Sequence, residues 1–186
     1  DGRRMAIDFE RKYPRAWAYL LSNREQLEKR SYVREAGRRW YEIWVPQDPT
    51  AWSEPKLVFP DISPTPKFLL DMDGYVVDGN CYWATLVDGG REELLLLMIA
   101  VANSDFMTRY HEIAFQNMLY SGRRRYLTQY VEQYPLPDPA SAAAKKLIKR
   151  ARQRADAVRS GKLSVASDLE DESLIAAACG VQLALT

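Results

Sequence analysis

The chain offers one histidine, two cysteines and 25 carboxylates as candidate reactive groups, and their spacing decides what chemistry is open to them. His111 lies between Tyr110 and Glu112 with no HxxxH, HxH or HExxH partner, so it lacks the pattern of a metal ligand and reads as a surface or half-buried structural residue. Cys81 and Cys179 stand far apart without CxxC spacing, which points to buried thiols and not to a zinc or redox pair. No GxSxG, GxxxxGK[ST] or GxGxxG occurs, so esterase, NTPase and dinucleotide chemistry lack their motifs. Pro60-Asp61 could open a PD…(D/E)xK nuclease site, but the acidic-x-lysine that must follow is Glu54-Pro55-Lys56, which precedes it. Two carboxylates and a lysine in that order do not converge on one metal. No catalytic and no metal-ligating residue is assigned.

Recognition chemistry is better represented. RRWYEIWVPQDPTAWSEPKLVFPDIS, residues 38–63, interleaves tryptophans with Arg38, Arg39 and Lys56. That mixture supplies flat contact area, cation–π partners and phosphate neutralisers together. The alternative is that Trp40, Trp44 and Trp52 fill a small core. A second basic site, YSGRRRYLTQY at 120–130, places Arg123, Arg124 and Arg125 after a Ser-Gly pair and before a helix start. Three consecutive arginines cannot all face a core.

The elements that must position these groups follow from periodicity. Residues 13–31 start with Pro14 at the first helical turn and put Trp17, Leu20, Leu21 and Leu27 on one face, an amphipathic helix over about 14–30. WYEIWV (40–45), KLVFPDI (56–62), the FLLD and YVVD pair across MDG, and CYWATLV (81–87) read as strands. REELLLLMIAVAN is apolar all round, hence a buried helix, and SDFMTRYHEIAFQNML starts another with Ser104 as N-cap, giving helical character over 92–119. YPLPDP (134–139) punctuates the chain. Beyond it Ala144, Ile148, Ala151, Ala155 and Val158 form a narrow apolar seam on a basic helix, and a linker leads to the acidic segment DLEDESLIAAACGVQLALT.

Net charge is +1, but it is unevenly spread: residues 140–162 carry eight basic groups and one acidic, whereas 163–186 carry none and four. Basic ends around a more acidic middle suit a face that meets a polyanion, or a pair of solvated basic helices. The longest apolar run, LLLLMIAVA, is nine residues, half of the roughly 18 a membrane span requires. No membrane partner and a cytoplasmic location are expected. The opening DGRRMAIDFE, without initiator methionine or apolar signal segment, suggests a processed chain or an excised piece of a longer polypeptide.

In order along the chain, YPRAWAYLLSNREQLEKRS, RWYEIW, EPKLVFPDISPTPKFLLDMDGYVVDGNCYWATL, LLLLMIAVANSDF and GRRRYLTQYVEQYPLPDP resemble the TaqI-like C-terminal specificity domain of bacterial N6-adenine DNA methyltransferases. DESLIAAACGV is similar to the short tail of such enzymes. The resemblance covers about 13–139 and implies a target-recognition domain of a restriction-modification enzyme. It would read double-stranded DNA while a catalytic domain of the same polypeptide, holding S-adenosylmethionine and an NPPY-type motif, methylates a flipped adenine. This chain has no such motif and is expected to need no cofactor itself. The implied organisation is a DNA target-recognition domain at 1–139, a basic helix at 140–161 and a linker with a short helical tail at 162–186. The fold expected is α+β: a twisted, mainly antiparallel sheet from about 38 to 87 flanked by helices, followed by the basic C-terminal helix. Candidate DNA contacts are Arg38, Arg39, Trp40, Lys56, Ser63, Thr65, Asp78, Asn80, Arg123, Arg124 and Arg125. Asn80 is the choice for a base edge, because a side-chain amide can pair with adenine through two hydrogen bonds. A protein-interaction module using the basic helix and a metal-dependent nuclease are the rival classes.

Overall fold

In the computed structural model, which describes residues 9–44, 48–77, 79–86, 90–162 and 169–180, the chain forms two units, residues 1–48 and 49–186. The first is built from α1 (Phe9–Lys12), α2 (Pro14–Ser22), α3 (Arg24–Glu28) and α4 (Ser31–Glu35). The helix expected over 14–30 is interrupted at Asn23, whose side-chain amide donates to the Tyr19 carbonyl at 2.8 Å. An asparagine that competes in this way for helical carbonyls favours a break. The strand expected at 40–45 does not form over its described residues. Residues 40–42 turn instead, and Arg30 Nη2 donates to the Trp40 carbonyl at 2.6 Å, the acceptor a neighbouring strand would have used. Val45 lies outside the described residues.

The second unit is organised by β1 (Lys56–Pro60), the central strand of an antiparallel sheet with β3 (Leu69–Asp71) on one side and β4 (Cys81–Thr85) on the other. Leu57 and Phe59 share one face of β1 and are buried, each 2% exposed, while Lys56 on the other face is buried as well. A two-stranded ribbon pairs β2 (Ile62–Ser63) with β5 (Arg124–Arg125). The YVVD strand of the expected hairpin is absent at Tyr75–Val77, and Asp78 lies outside the described residues. Asp71 explains why the chain turns away. Its carboxylate accepts from the backbone amides of Asp73 (2.8 Å), Gly74 (3.1 Å) and Tyr75 (2.9 Å), leaving them nothing to give a ladder.

The sheet packs on α5 (Glu92–Ala102), whose Leu95, Leu96, Leu97, Ile99, Val101 and Ala102 are buried, as expected of a helix apolar all round. The Asn103 side chain both donates to and accepts from the Phe68 backbone, each at 2.9 Å, standing in for a strand partner at the start of β3. Ser104 then caps α6 (Asp105–Phe115) by accepting from the Met107 amide at 3.0 Å. The two helices expected within 92–119 both form, and the second ends at Phe115, where Gln116, left-handed at φ 45°, closes it. After α7 (Thr128–Val131) and the prolines, α8 (Ala142–Arg159) lays Ala144, Leu147, Ile148 and Ala151 into the same core. α9 (Leu169–Ala178) adds Ile175. The architecture is α+β, a small antiparallel sheet flanked by helices, with strands among the described residues confined to 56–85 and 124–125.

Candidate nucleic-acid interface

Three stretches distant in sequence are joined at the end of β1. Pro60 pairs with Cys81 across the sheet, and the Asp61 amide donates to the Asn80 carbonyl at 2.8 Å. The Tyr126 amide donates to the Asp61 carbonyl at 2.7 Å, and Ser63 faces Arg124 in the ribbon. Residues 60–65, 79–81 and 123–126 therefore form one edge, on which Thr65, Asn80 and Arg123 are exposed. A turn with Ser121 at φ 59° and Gly122 at φ 69° brings the chain back into β5. Only glycine adopts such angles freely, so the Gly122 position is demanded by the turn.

The arginine triplet divides into three roles. Arg123 is exposed and has no ion-pair partner among the described residues. Arg124, with its side chain 14% exposed, is bonded to Glu112 of α6 and to the Pro64 carbonyl, tying the 63–65 loop to the helix. Arg125 grips Asp61 with two bonds, of 2.8 and 3.2 Å, and keeps 44% of its side chain exposed.

Two expected contacts are corrected. Lys56 is fully buried, its ammonium 2.6 Å from Asp71 and donating to the Trp52 carbonyl at 2.5 Å. A lysine so enclosed cannot meet a phosphate. Burial alone would push the Asp71 carboxyl up, but the Lys56 ammonium and the backbone amides hold it below the ordinary carboxylate range. Ser63 is 4% exposed, covered within the ribbon, and leaves Thr65 as the accessible hydroxyl of that loop.

In the first unit Arg39 is exposed and donates to the Tyr41 hydroxyl at 2.7 Å, while Arg38 is half-buried. Trp40 belongs to an aromatic cluster: its ring lies 5.6 Å from Trp17 and 5.3 Å from Tyr41, with the Arg24 guanidinium 5.2 Å from its centroid. Its indole serves packing in that cluster. Trp44, 59% exposed, is the freer ring.

His111 is fully buried, beyond the half-buried position expected for it. Nε2 lies 2.9 Å from the Arg125 carbonyl and Nδ1 lies 2.8 Å from the Tyr134 hydroxyl, so the neutral ring donates to β5 and accepts from Tyr134. Burial lowers its pKa, against the opposing pull of the Arg125 carbonyl and Asn117. Beside it Tyr126 is buried with no partner for its hydroxyl among the described residues, and burial raises its pKa to about 12. Sequence reasoning missed this scaffold, together with Asp61 and Glu112. The available signal was charge: two carboxylates suited to offset two arginines. Among the described residues no group of three His, Cys, Asp or Glu side chains is placed to hold a metal, and no helix is long and apolar enough to cross a membrane.

No family model matches the chain. Over 182 residues, 98% of its length, it is 44% identical to Type II methyltransferase M.BanIII of Aneurinibacillus aneurinilyticus, and it spans 31% of that protein. The chain is therefore homologous to a part of a Type II methyltransferase.

Proposed function

We propose that this chain is the DNA target-recognition part of a restriction-modification adenine-N6 methyltransferase, of the TaqI-like specificity type. The observation that carries the reading is the homology: nearly the whole chain aligns with less than a third of a methyltransferase. An edge presenting Asn80, Thr65 and Arg123 supports it. Methyl transfer, with S-adenosylmethionine as donor, belongs in this reading to a catalytic part of the same cytoplasmic polypeptide.

Labour at the interface divides by chemistry. In the second unit exposed Arg123 and the open side of Arg125, and separately in the first unit exposed Arg39 and half-buried Arg38, supply phosphate neutralisers that read no sequence. The backbone carbonyl of Asn80 itself accepts from the Asp61 amide, so its main chain is anchored while its side-chain amide is left to address an adenine edge. Arg124 and Asp61 hold the loops that carry these groups. The protein-interaction reading loses ground because Arg150, Arg152, Arg154 and Arg159 of the basic helix are already paired with carboxylates of this chain. The nuclease reading loses its lysine to the Lys56–Asp71 pair.

Titration of the chain with duplex DNA tests the proposal. Weak binding is expected near physiological salt, on the order of 10⁻⁴ to 10⁻⁶ M, falling steeply as salt rises. In the full-length enzyme, Asn80→Ala should cost roughly 1–3 kcal/mol of discrimination at one base pair and little elsewhere. No binding at low salt, or a uniform loss across all sequences for Asn80→Ala, contradicts the assignment.

A further inference from the structure

Helix α8 carries seven basic residues from Lys145 to Arg159, and the fold sorts them by type. The arginines are used internally: Arg150 meets Glu170 at 2.7 Å and Asp171 at 2.6 Å, Arg152 meets Glu92 at 2.7 Å, Arg154 meets Asp171, and Arg159 meets Asp73 at 2.8 Å. The lysines are not. Lys145, Lys146 and Lys149 are exposed and have no ion-pair partner among the described residues.

Lys145 and Lys149, one helical turn apart, line a cleft of about 430 Å³ together with Ile148, Arg152, Pro139, Arg91 and Glu93. Glu93 lies 3.2 Å from Arg91, and Arg152 is held by Glu92, so those charges are offset in pairs. Among the described residues two ammonium groups remain without an ion-pair partner in a concave surface. Lysine is depleted at protein–protein interfaces, whose anchors are buried aromatic and arginine side chains, and this cleft contributes no aromatic ring. An ammonium with three rotatable donors binds phosphate as a point charge.

We infer that this cleft is a second phosphate-binding surface, by which Lys145 and Lys149 grip the sugar–phosphate backbone of duplex DNA. It shares no residue with the β2–β5 edge and rests on the DNA-recognition reading. Such a grip adds affinity without sequence preference, which helps a recognition part hold DNA before its target is found.

The test is a salt titration of duplex binding with the intact chain as wild type, Lys145→Gln/Lys149→Gln and Lys145→Arg/Lys149→Arg. Both lysines are exposed, so the glutamine variant is expected to fold as the wild type does, and the melting temperature monitors this. Loss of two phosphate contacts should make the slope of log K against log salt shallower by about 1.8, while the arginine variant keeps the wild-type slope. An unchanged slope in the glutamine variant overturns the inference. So does a loss confined to parallel titrations with inorganic phosphate, which would mark a free-anion site, or with poly-glutamate, which would mark an acidic protein partner. Failure of the wild type to bind duplex at low salt removes the functional reading as well, whereas wild-type binding with an unaltered glutamine variant removes the cleft alone.

Discussion

Arg123, Arg124 and Arg125 are adjacent in sequence, yet replacing each with alanine should give three different results. Arg124 is 14% exposed, and its removal strands the Glu112 carboxylate, itself 31% exposed, together with the Pro64 and Gly122 carbonyls. Breaking a charged hydrogen-bonded pair in such surroundings costs about 2–3 kcal/mol, below the 3–5 of a fully buried pair because water still reaches Glu112. For a domain of this size that is a fall in melting temperature of roughly 4–12 °C. Arg125 and Asp61, 44% and 20% exposed, form a partly solvated pair worth about 0.5–1 kcal/mol. Arg123, exposed and unpaired among the described residues, should change stability by less than about 0.5 kcal/mol. Urea unfolding of the three single variants supplies the order Arg124, then Arg125, then Arg123. DNA titration should rank them differently, with Arg123→Ala making the salt slope shallower by about 0.9 at unchanged stability. Equal destabilisation by all three, or a stable Arg124→Ala beside an unstable Arg123→Ala, would refute the division of roles drawn from the ribbon.

Three further outcomes are expected. Because burial depresses the His111 pKa in the fold, the unfolded chain binds the extra proton first as pH falls below its ordinary 6.5. Unfolding free energy should therefore decline below that pH, by at most about 1.4 kcal/mol per unit, and level off below the folded pKa. Urea midpoints at pH 7.5, 6.5 and 5.5 measure this, and a wild-type profile no steeper than that of His111→Gln would count against it. Tyr126→Phe removes a buried hydroxyl that lacks a partner and should leave stability unchanged or raise it by about 1 kcal/mol, whereas a clear loss in calorimetry would reveal a bond to that hydroxyl. Lys56→Ala leaves the Asp71 carboxylate buried without its ammonium and should cost about 3–5 kcal/mol by urea unfolding, while a loss under 1 would show the site to be solvated.

What local pattern and covalent preference can specify was readable in the sequence. The apolar run at 94–102 read as a buried helix and Ser104 as an N-cap, and both are so, while strands form within KLVFPDI and CYWATLV as read. The exposed status of Arg39, Thr65, Asn80 and Arg123 agrees with placing them outside a core. Tertiary structure alone decided the remainder, because it turned on partners far along the chain. WYEIW alternates like a strand yet forms none over 40–44, since Arg30 takes the Trp40 carbonyl. Lys56 looks like a surface cation, but Asp71, fifteen residues later, encloses it. The basic helix and the acidic tail read as separate features until Arg150 and Arg154 met Asp171. Periodicity records which face of a segment is apolar, but says nothing of which charge will lie within 3 Å of another. That choice belongs to long-range packing, and it determines which cations are consumed in holding the fold and which stay free to bind.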